Sequence, residues 1–235
     1  PPPFFFQMMA HFGVKPERIM IVSSPTRFSR LYVFPQAERQ CGTPPDPAYL
    51  ALLDQIVSVA SSPSDGSRLF VSRAGLPKGR IAGEDYLENT LARAGFEIFR
   101  PELFSLEEQM LRYRKADHLL FSEGSAIHAL QLLGSLPAKV TVICRRRGSR
   151  IAEQAIRARV RSIDYIDCVD GLIHGARSGG GPQRSSGMSV LDPDICVSGF
   201  AKAGIDIEAV WDREAYIACR DRDVAEWIKY RQQWR

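Results

Sequence analysis

Clustered cysteine is the first thing the chain lacks. Its 235 residues hold five cysteines, Cys41, Cys144, Cys168, Cys196 and Cys219, far apart and never in a C-x-x-C pair. That excludes a structural zinc site and a dense disulfide framework, and it points to a reducing compartment. Long apolar runs are missing too. Charge or Pro interrupts every stretch well before the roughly 18 residues that a spanning helix needs. Nor is one sign of charge in large excess. The 31 Lys and Arg against 27 Asp and Glu leave a formal +4. So mild a balance requires no nucleic acid, although a local basic patch can still meet a phosphorylated ligand.

The familiar nucleotide and hydrolase motifs are absent as well. There is no G-x-x-x-x-G-K-[ST] loop, no G-x-G-x-x-G after a strand, no G-x-S-x-G elbow and no H-E-x-x-H. Asp192-Pro-Asp194 and Asp221-Arg-Asp223 fall in helical or turn context, away from strand ends. Any diphosphate site is therefore expected to work without a metal and without a further cofactor. Pro1-Pro2-Pro3-Phe4-Phe5-Phe6 lacks the basic region and long apolar core of a signal peptide. The chain opens without Met, so a natural start upstream of Pro1 is expected.

What is present is an alternation of two periods between Arg68 and Cys144. Arg68–Ser72 reads as a short buried strand after the turn-rich Ser61–Ser67. Gly83–Ala94 has helical spacing, with Tyr86, Leu87, Thr90, Leu91 and Ala94 on one side and Gly95 as C-cap. Phe96–Phe99 is the next strand. Ser105-Leu-Glu-Glu108 is a capping box opening a second helix with the apolar residues Leu106, Met110, Leu111 and Tyr113. His118–Phe121 is a third strand, Ser125–Leu133 a third helix and Val140–Cys144 a fourth strand. Such alternation predicts a parallel sheet wound with helices, with ligands beyond the carboxyl ends of the strands.

The flanks read differently. A helix over Phe5–Phe12, Gly13, and strands over Arg18–Val22 and Leu31–Phe34 look like the tail of another α/β unit. Gln36–Pro47 reads as a linker and Gly175–Gly187 as a mobile Gly/Ser/Arg loop. Ser189–Gly204 and Arg213–Trp234 read as helices, the last with Ala218, Val224, Trp227, Ile228 and Tyr230 to bury.

Four strand ends are candidate site positions: Ser72-Arg73, Arg100-Pro101-Glu102, Ser122-Glu123-Gly124-Ser125 and Arg145-Arg146-Arg147. Ser122-Glu123-Gly124-Ser125 stands where a strand gives way to a helix, whose free N–H groups and positive dipole end suit an anion. Gly124 there would let a ligand approach the backbone, and Ser125 can add a hydroxyl; an ordinary capped turn is the bland alternative. His128, one turn on, is either a ligand contact or a satisfied structural histidine. Arg73 leaves the first strand with the fork geometry for phosphate, and Arg80 follows with Glu84 behind it. Arg80 and Glu84 paired with each other is the competing reading. Arg145-Arg146-Arg147 reads as a solvated turn more readily than a site.

Several of these segments together resemble family-61 glycosyltransferases. Phe70-Val-Ser-Arg73, Arg80-Ile81, Glu84, Gly95-Phe96-Glu97, Pro101-Glu102-Leu-Phe-Ser-Leu-Glu-Glu-Gln109 and Ala116-Asp-His-Leu-Leu-Phe-Ser-Glu-Gly-Ser125 follow the family's order and spacing over roughly Leu69–Arg147. Two positions depart from it: Glu123 stands where a His is usual, and Gly83 where an Asn is. The resemblance implies a GT-B-like fold. Residues 1–47 would be the end of an amino-terminal, acceptor-side α/β domain plus linker, 48–175 a donor-binding Rossmann-like domain, and 176–235 the mobile loop and carboxyl-terminal helices.

The resemblance also implies an inverting, metal-independent transfer from a nucleotide-diphosphate sugar to a glycan acceptor. The setting would be bacterial surface or capsular polysaccharide biosynthesis in the cytoplasm, with peripheral membrane association left open. Arg73, Arg80, Gly124 and Ser125 would hold the diphosphate, and Glu102 and Gln109 the base or ribose. Glu123 would be a base, a ribose contact or a partner of Arg73 first and Arg80 second. A non-catalytic nucleotide- or sugar-binding module, or a structural partner in a polysaccharide assembly complex, is the alternative.

Overall fold

The computed structural model describes residues 1, 3–38, 43–58, 65–177 and 179–232. Cys41, the middle of the expected linker, part of the Ser61–Ser67 turn and Trp234 lie outside them. The described residues form a mixed α/β fold on a five-stranded parallel sheet of order β2-β1-β3-β4-β5. The strands are β1 Ser67–Val71, β2 Glu97–Phe99, β3 Ala116–Ser122, β4 Leu136–Ile143 and β5 Val160–Ile166. Before the sheet lie helices α1, Pro3–His11, and α2, Pro47–Ser58. The crossovers are α3 Glu84–Arg93, α4 Leu106–Lys115, a 3₁₀ helix Ser125–Leu132 and α5 Glu153–Arg157.

Period-two side-chain alternation explains how one sheet buries two faces. Leu69, Val71, Leu119 and Phe121 enter one core with Met110, Tyr113 and Ile127. Phe70 and Leu120 enter the other, with Leu87, Leu91, Phe200 and Tyr216. In register, Phe70 sits between Ile98 and Leu120. The expected capping box is made in both directions: Glu108 N–H donates to Ser105 Oγ at 3.3 Å, and Ser105 N–H to Glu108 Oε2 at 2.8 Å. Leu111 is exposed, while Met110 and Tyr113 are buried. The third helix is 3₁₀, and Ile127, Leu130 and Leu133 all sink into the core. Their spacing of three matches the three residues per turn of that helix.

Several expectations need correction. Arg18–Val22 and Leu31–Phe34 are not strands; residues 19–38 carry no regular structure, and Val33 and Phe34 stay more than 80 % exposed. A β-rich sequence makes a strand only where a partner completes the ladder, and among the described residues these segments have none. Gly175–Gly187 is not a mobile loop. It belongs to an antiparallel hairpin of β6 Val169–Ala176 and β7 Pro182–Leu191. The glycines serve the turn, where Gly180 takes φ +83° and Arg177 N–H donates to the Gly181 carbonyl at 2.7 Å.

The helix expected from Ser189 starts later, as α6 Pro193–Lys202 capped by Asp192, because Ser189 is already used by β7. Helix α7, Arg213–Gln232, buries Tyr216 and Asp223 rather than the apolar set named for it. Ala218, Ile228 and Tyr230 are exposed, and Val224 and Trp227 are half-buried. Asp223 earns its burial by accepting from Gly83 N–H at 2.9 Å, which ties α7 to the start of α3. The sequence reading had no counterpart for α2, α5 or β5.

Candidate functional site

In the order β2-β1-β3-β4-β5 the chain changes direction between β1 and β3, and that switch point is where doubly wound sheets open a crevice. Arg73 leaves β1 there, and Ser122-Glu123-Gly124-Ser125 leaves β3. A cleft of about 350 Å³ forms beside them, lined by Arg73, Leu76, Glu102, Gln109 and Ser125, with Phe4 and Gln7 of α1 on its rim. Arg73, Glu102 and Ser125 are thus gathered from three separate strand ends, and α4 adds Gln109.

Beneath the cleft lies Glu84, with no exposed surface. Its carboxylate accepts from Ser122 Oγ at 2.5 Å, Arg73 N–H at 2.8 Å and Ile81 N–H at 3.1 Å. It therefore staples the end of β1, the end of β3 and the loop into α3. Burial pushes the Glu84 carboxyl above its ordinary range, against the opposing pull of those hydrogen bonds and of the Arg73 charge. Arg80 does not pair with it. Arg80 donates to the Ala74 carbonyl at 3.3 Å and lines a neighbouring cleft.

Arg73 is held by one bond, Nε to the Gly79 carbonyl at 2.8 Å. Among the described residues its two terminal nitrogens donate to nothing, and no carboxylate pairs with it, although Glu84, Glu102 and Glu123 all lie within electrostatic range. Gly124 was expected to admit a ligand to the backbone; instead the Arg73 guanidinium fills that space. A Cβ on Gly124 would stand 2.7 Å from Arg73 Cζ and closer still to Nη1. Because Gly124 is extended, at φ 179°, the glycine is demanded by space and not by backbone conformation.

Glu123 is 1 % exposed and does not meet Arg73 or Arg80. Its partner is Arg146, whose Nε donates to Oε1 at 2.8 Å and whose Nη2 pairs with the same oxygen. Oε2 accepts from Arg145 N–H at 2.6 Å and Arg146 N–H at 3.2 Å. Both oxygens are engaged, so this carboxylate anchors the turn after β4. The reason is geometric: the side chain points along the sheet edge toward the next strand end and away from β1.

The basic run after β4 splits. Arg146 and Arg147 are exposed, but Arg145 is 5 % exposed, against the expectation of a solvated turn. Its terminal nitrogens donate to the Glu123 and Gly187 carbonyls, both at 3.3 Å, and its Nε has no partner. They also lie 3.2 and 3.3 Å from where a Cβ on Gly79 would stand. Desolvation, then the charge of Arg73, pulls the Arg145 guanidinium down to about 10. Arg145 is the main residue the sequence reading passed over. Its place directly behind the buried Cys144 was the available signal.

The remaining candidates are more modest. Glu102 is exposed, and Gly75 leaves it room, since a Cβ there would meet Glu102 Oε1 at 2.7 Å. Gln109 spends its amide hydrogens on the Pro101 and Phe104 carbonyls at 2.8 and 3.1 Å, keeping only its oxygen for a ligand. Ser125 is exposed on the cleft wall. His128 bonds Gln131 at 2.7 Å and does not line the cleft. No group of three or more His, Cys, Asp or Glu side chains among the described residues could hold a metal ion.

Two guanidiniums without carboxylate partners, at the carboxyl edge of a doubly wound parallel sheet, define an α/β protein with a crevice suited to an anionic ligand. The family model described as Glycosyltransferase 61 matches residues 4–143, more than half of the chain, and the chain belongs to that family. Among curated proteins, none matches it. The match ends at the last residue of β4, so Arg145, the hairpin, α6 and α7 lie beyond it. No helix among the described residues is long and apolar enough to cross a membrane.

Proposed function

We propose that the chain supplies the donor half of a GT-B enzyme, an inverting, metal-independent glycosyltransferase. It would move a sugar from a nucleotide-diphosphate sugar to a glycan acceptor in bacterial surface or capsular polysaccharide synthesis. The observation that carries this reading is Arg73, wedged over Gly124 at the switch point with both terminal nitrogens uncommitted. In the reaction an acceptor hydroxyl attacks the anomeric carbon as the bond to the diphosphate oxygen breaks, and the hydroxyl proton is released to a base or to solvent. Negative charge then grows on the leaving phosphate, and preorganised cations stabilise it most where water is excluded. Arg73 and Arg80 are assigned to that charge, Ser125 to a phosphate oxygen, and Arg145 to a fixed positive field beneath them.

Glu102 and the Gln109 oxygen would accept from ribose hydroxyls or the base. Glu123 is assigned to positioning, because a buried carboxylate with both oxygens bonded is poorly placed to take the acceptor's proton. Incubating the chain with radiolabelled nucleotide sugars and oligosaccharides tests the reading. Transfer or donor hydrolysis supports it. Nucleotide binding without either outcome favours a non-catalytic binding module, whereas no binding of any nucleotide overturns the donor assignment.

A further inference from the structure

Beside the crevice lies a second cleft, of about 330 Å³, between the loop after β1 and the carboxyl-terminal helix. Ala74, Leu76, Pro77 and Arg80 form one wall, and Glu226, Trp227 and Tyr230 of α7 form the other. Leu76 lines both clefts, so they share a wall, and Arg73 stands in one while Arg80 stands in the other. The helical wall belongs to a part of the chain that the family model does not cover.

Helix α7 is fixed at several points. Tyr216 is buried against Gly83, Asp223 bonds Gly83 N–H, and Arg231 donates to Gln183 of the hairpin at 3.1 Å. The Arg231 guanidinium also lies 5.4 Å from the centre of the Trp227 ring. Trp227 and Tyr230, three residues apart on α7, both line the cleft, with Tyr230 41 % exposed. An aromatic wall flanked by a carboxylate and a guanidinium suits a pyranose or furanose ring. The C–H face of the sugar would stack on the rings, while its hydroxyls donate to Glu226 and accept from Arg80.

We infer that this cleft is the glycosyl subsite: it takes the donor's sugar, with the diphosphate bridging Arg73 and Arg80 and the nucleoside in the first cleft. The inference rests on the nucleotide-sugar reading above and adds the residues that would choose the sugar. The chain has three tryptophans, so Trp211→Phe with Trp234→Phe leaves Trp227 as the sole indole. That protein would be titrated by fluorescence with UDP, GDP, and UDP- and GDP-linked hexoses, pentoses and N-acetylhexosamines, while calorimetry on the unmodified chain records binding.

The expected result is a change in Trp227 emission with a sugar-bearing nucleotide and none with the bare nucleoside diphosphate. Trp227→Ala is expected to weaken the nucleotide sugar by about fivefold or more and to leave the bare nucleotide within about twofold. That split is not something a merely structural Trp would produce. If Trp227→Ala lowers the melting temperature, the exposed Glu226→Gln repeats the comparison. An equal response to the bare nucleotide would put the base in this cleft and overturn the inference. Calorimetric binding of a nucleotide sugar with a silent Trp227 would overturn it while leaving the donor reading intact. No calorimetric binding by any nucleotide would overturn both.

Discussion

Two buried glutamates stand at the carboxyl edge of the same sheet, and they are kept there by different means. Glu84 is held by the Ser122 and Ser72 hydroxyls and two backbone N–H groups, with no cation bonded to it. Glu123 is held by two backbone N–H groups and by the charged fork of Arg146. The first sits under the switch point and leaves its nearest cation, Arg73, unpaired. The second consumes a cation at the rim. A site for an anion needs the former arrangement, because a guanidinium already neutralised by a carboxylate has little left to offer a phosphate. The division of labour leaves Arg73 charged and available, with Arg145 a buried charge bonded only to carbonyls, at the expense of burying Glu84 without a counter-ion.

The largest expected effect follows from removing Glu84. Glu84→Ala would orphan the Ser122 hydroxyl and the N–H groups of Arg73 and Ile81, all at buried or half-buried positions. At about 1–3 kcal/mol for each buried donor left unmade, a loss of about 3–4 kcal/mol is expected. That corresponds to a fall of about 10 °C in Tm by calorimetry for a chain of this size. A fall under about 2 °C would show that the three bonds are not the staple described.

Glu84→Gln sharpens the same point through pH. Burial holds the folded carboxyl above its unfolded value of 4.5, so the folded state binds this proton more tightly than the unfolded chain. The stabilisation is then fully present below pH 4.5 and is lost as pH rises through the raised value. Wild type is expected to lose Tm relative to Glu84→Gln as pH rises from 4.5. A growing wild-type advantage would mean that the hydrogen bonds, and not burial, dominate.

Next come the residues that present the free cation. Arg73→Ala should weaken nucleoside diphosphate binding by about 1.5–3 kcal/mol, roughly ten- to hundredfold, without unfolding the sheet. Gly124→Ala should do part of the same damage at a distance, because its Cβ would evict the guanidinium from its seat while leaving the backbone unstrained. Calorimetric titration with UDP, GDP and CDP reads both. Equal affinity in Gly124→Ala and wild type would separate that seat from binding.

The other glutamate should matter less to the chemistry. In Glu123→Gln, the new amide nitrogen must face donors on one side or the other, costing about 1–2 kcal/mol of stability. Turnover should persist, and donor affinity should change only about threefold. Turnover abolished with affinity intact would make Glu123 a base after all, and would erase the distinction between the two carboxylates.

Why one glutamate was misjudged and the other underrated shows what a linear reading can reach. The strands and the capping box at Ser105 depend on neighbours within a few residues, and they were legible as alternation and spacing. So were the positions of Arg73 and Gly124, since a strand end is a local feature. The role of Glu84 depends on Ser122, 38 residues away, and that of Glu123 on Arg146, 23 residues away. Neither partnership has a periodic signature. Arg145 was passed over because its burial comes from Gly79 and the hairpin, and the hairpin itself was hidden by a Gly- and Ser-rich composition that reads as loop. The strands expected over Arg18–Val22 and Leu31–Phe34 failed in the opposite direction. Their local pattern was present, but the described residues provide no ladder for them.

The smallest expected effect is that of chelation. A divalent ion at a diphosphate is usually held by carboxylate oxygens with lone pairs to spare. Here the two nearest buried carboxylates have already committed theirs: Glu84 to four donors, Glu123 to Arg146 and two backbone N–H groups. Recruiting either would break bonds that hold the crevice together. Glu102, the carboxylate that lines the cleft, would be one ligand alone. Arg73, Arg80 and Arg145 supply fixed positive charge where the ion would otherwise sit, with no ligand exchange needed as the leaving group departs. Donor affinity in EDTA is therefore expected to stay within about twofold of that in Mg²⁺ or Mn²⁺. Binding abolished by the chelator and restored by either ion would mean that Glu84 or Glu123 gives up its partners when the nucleotide arrives.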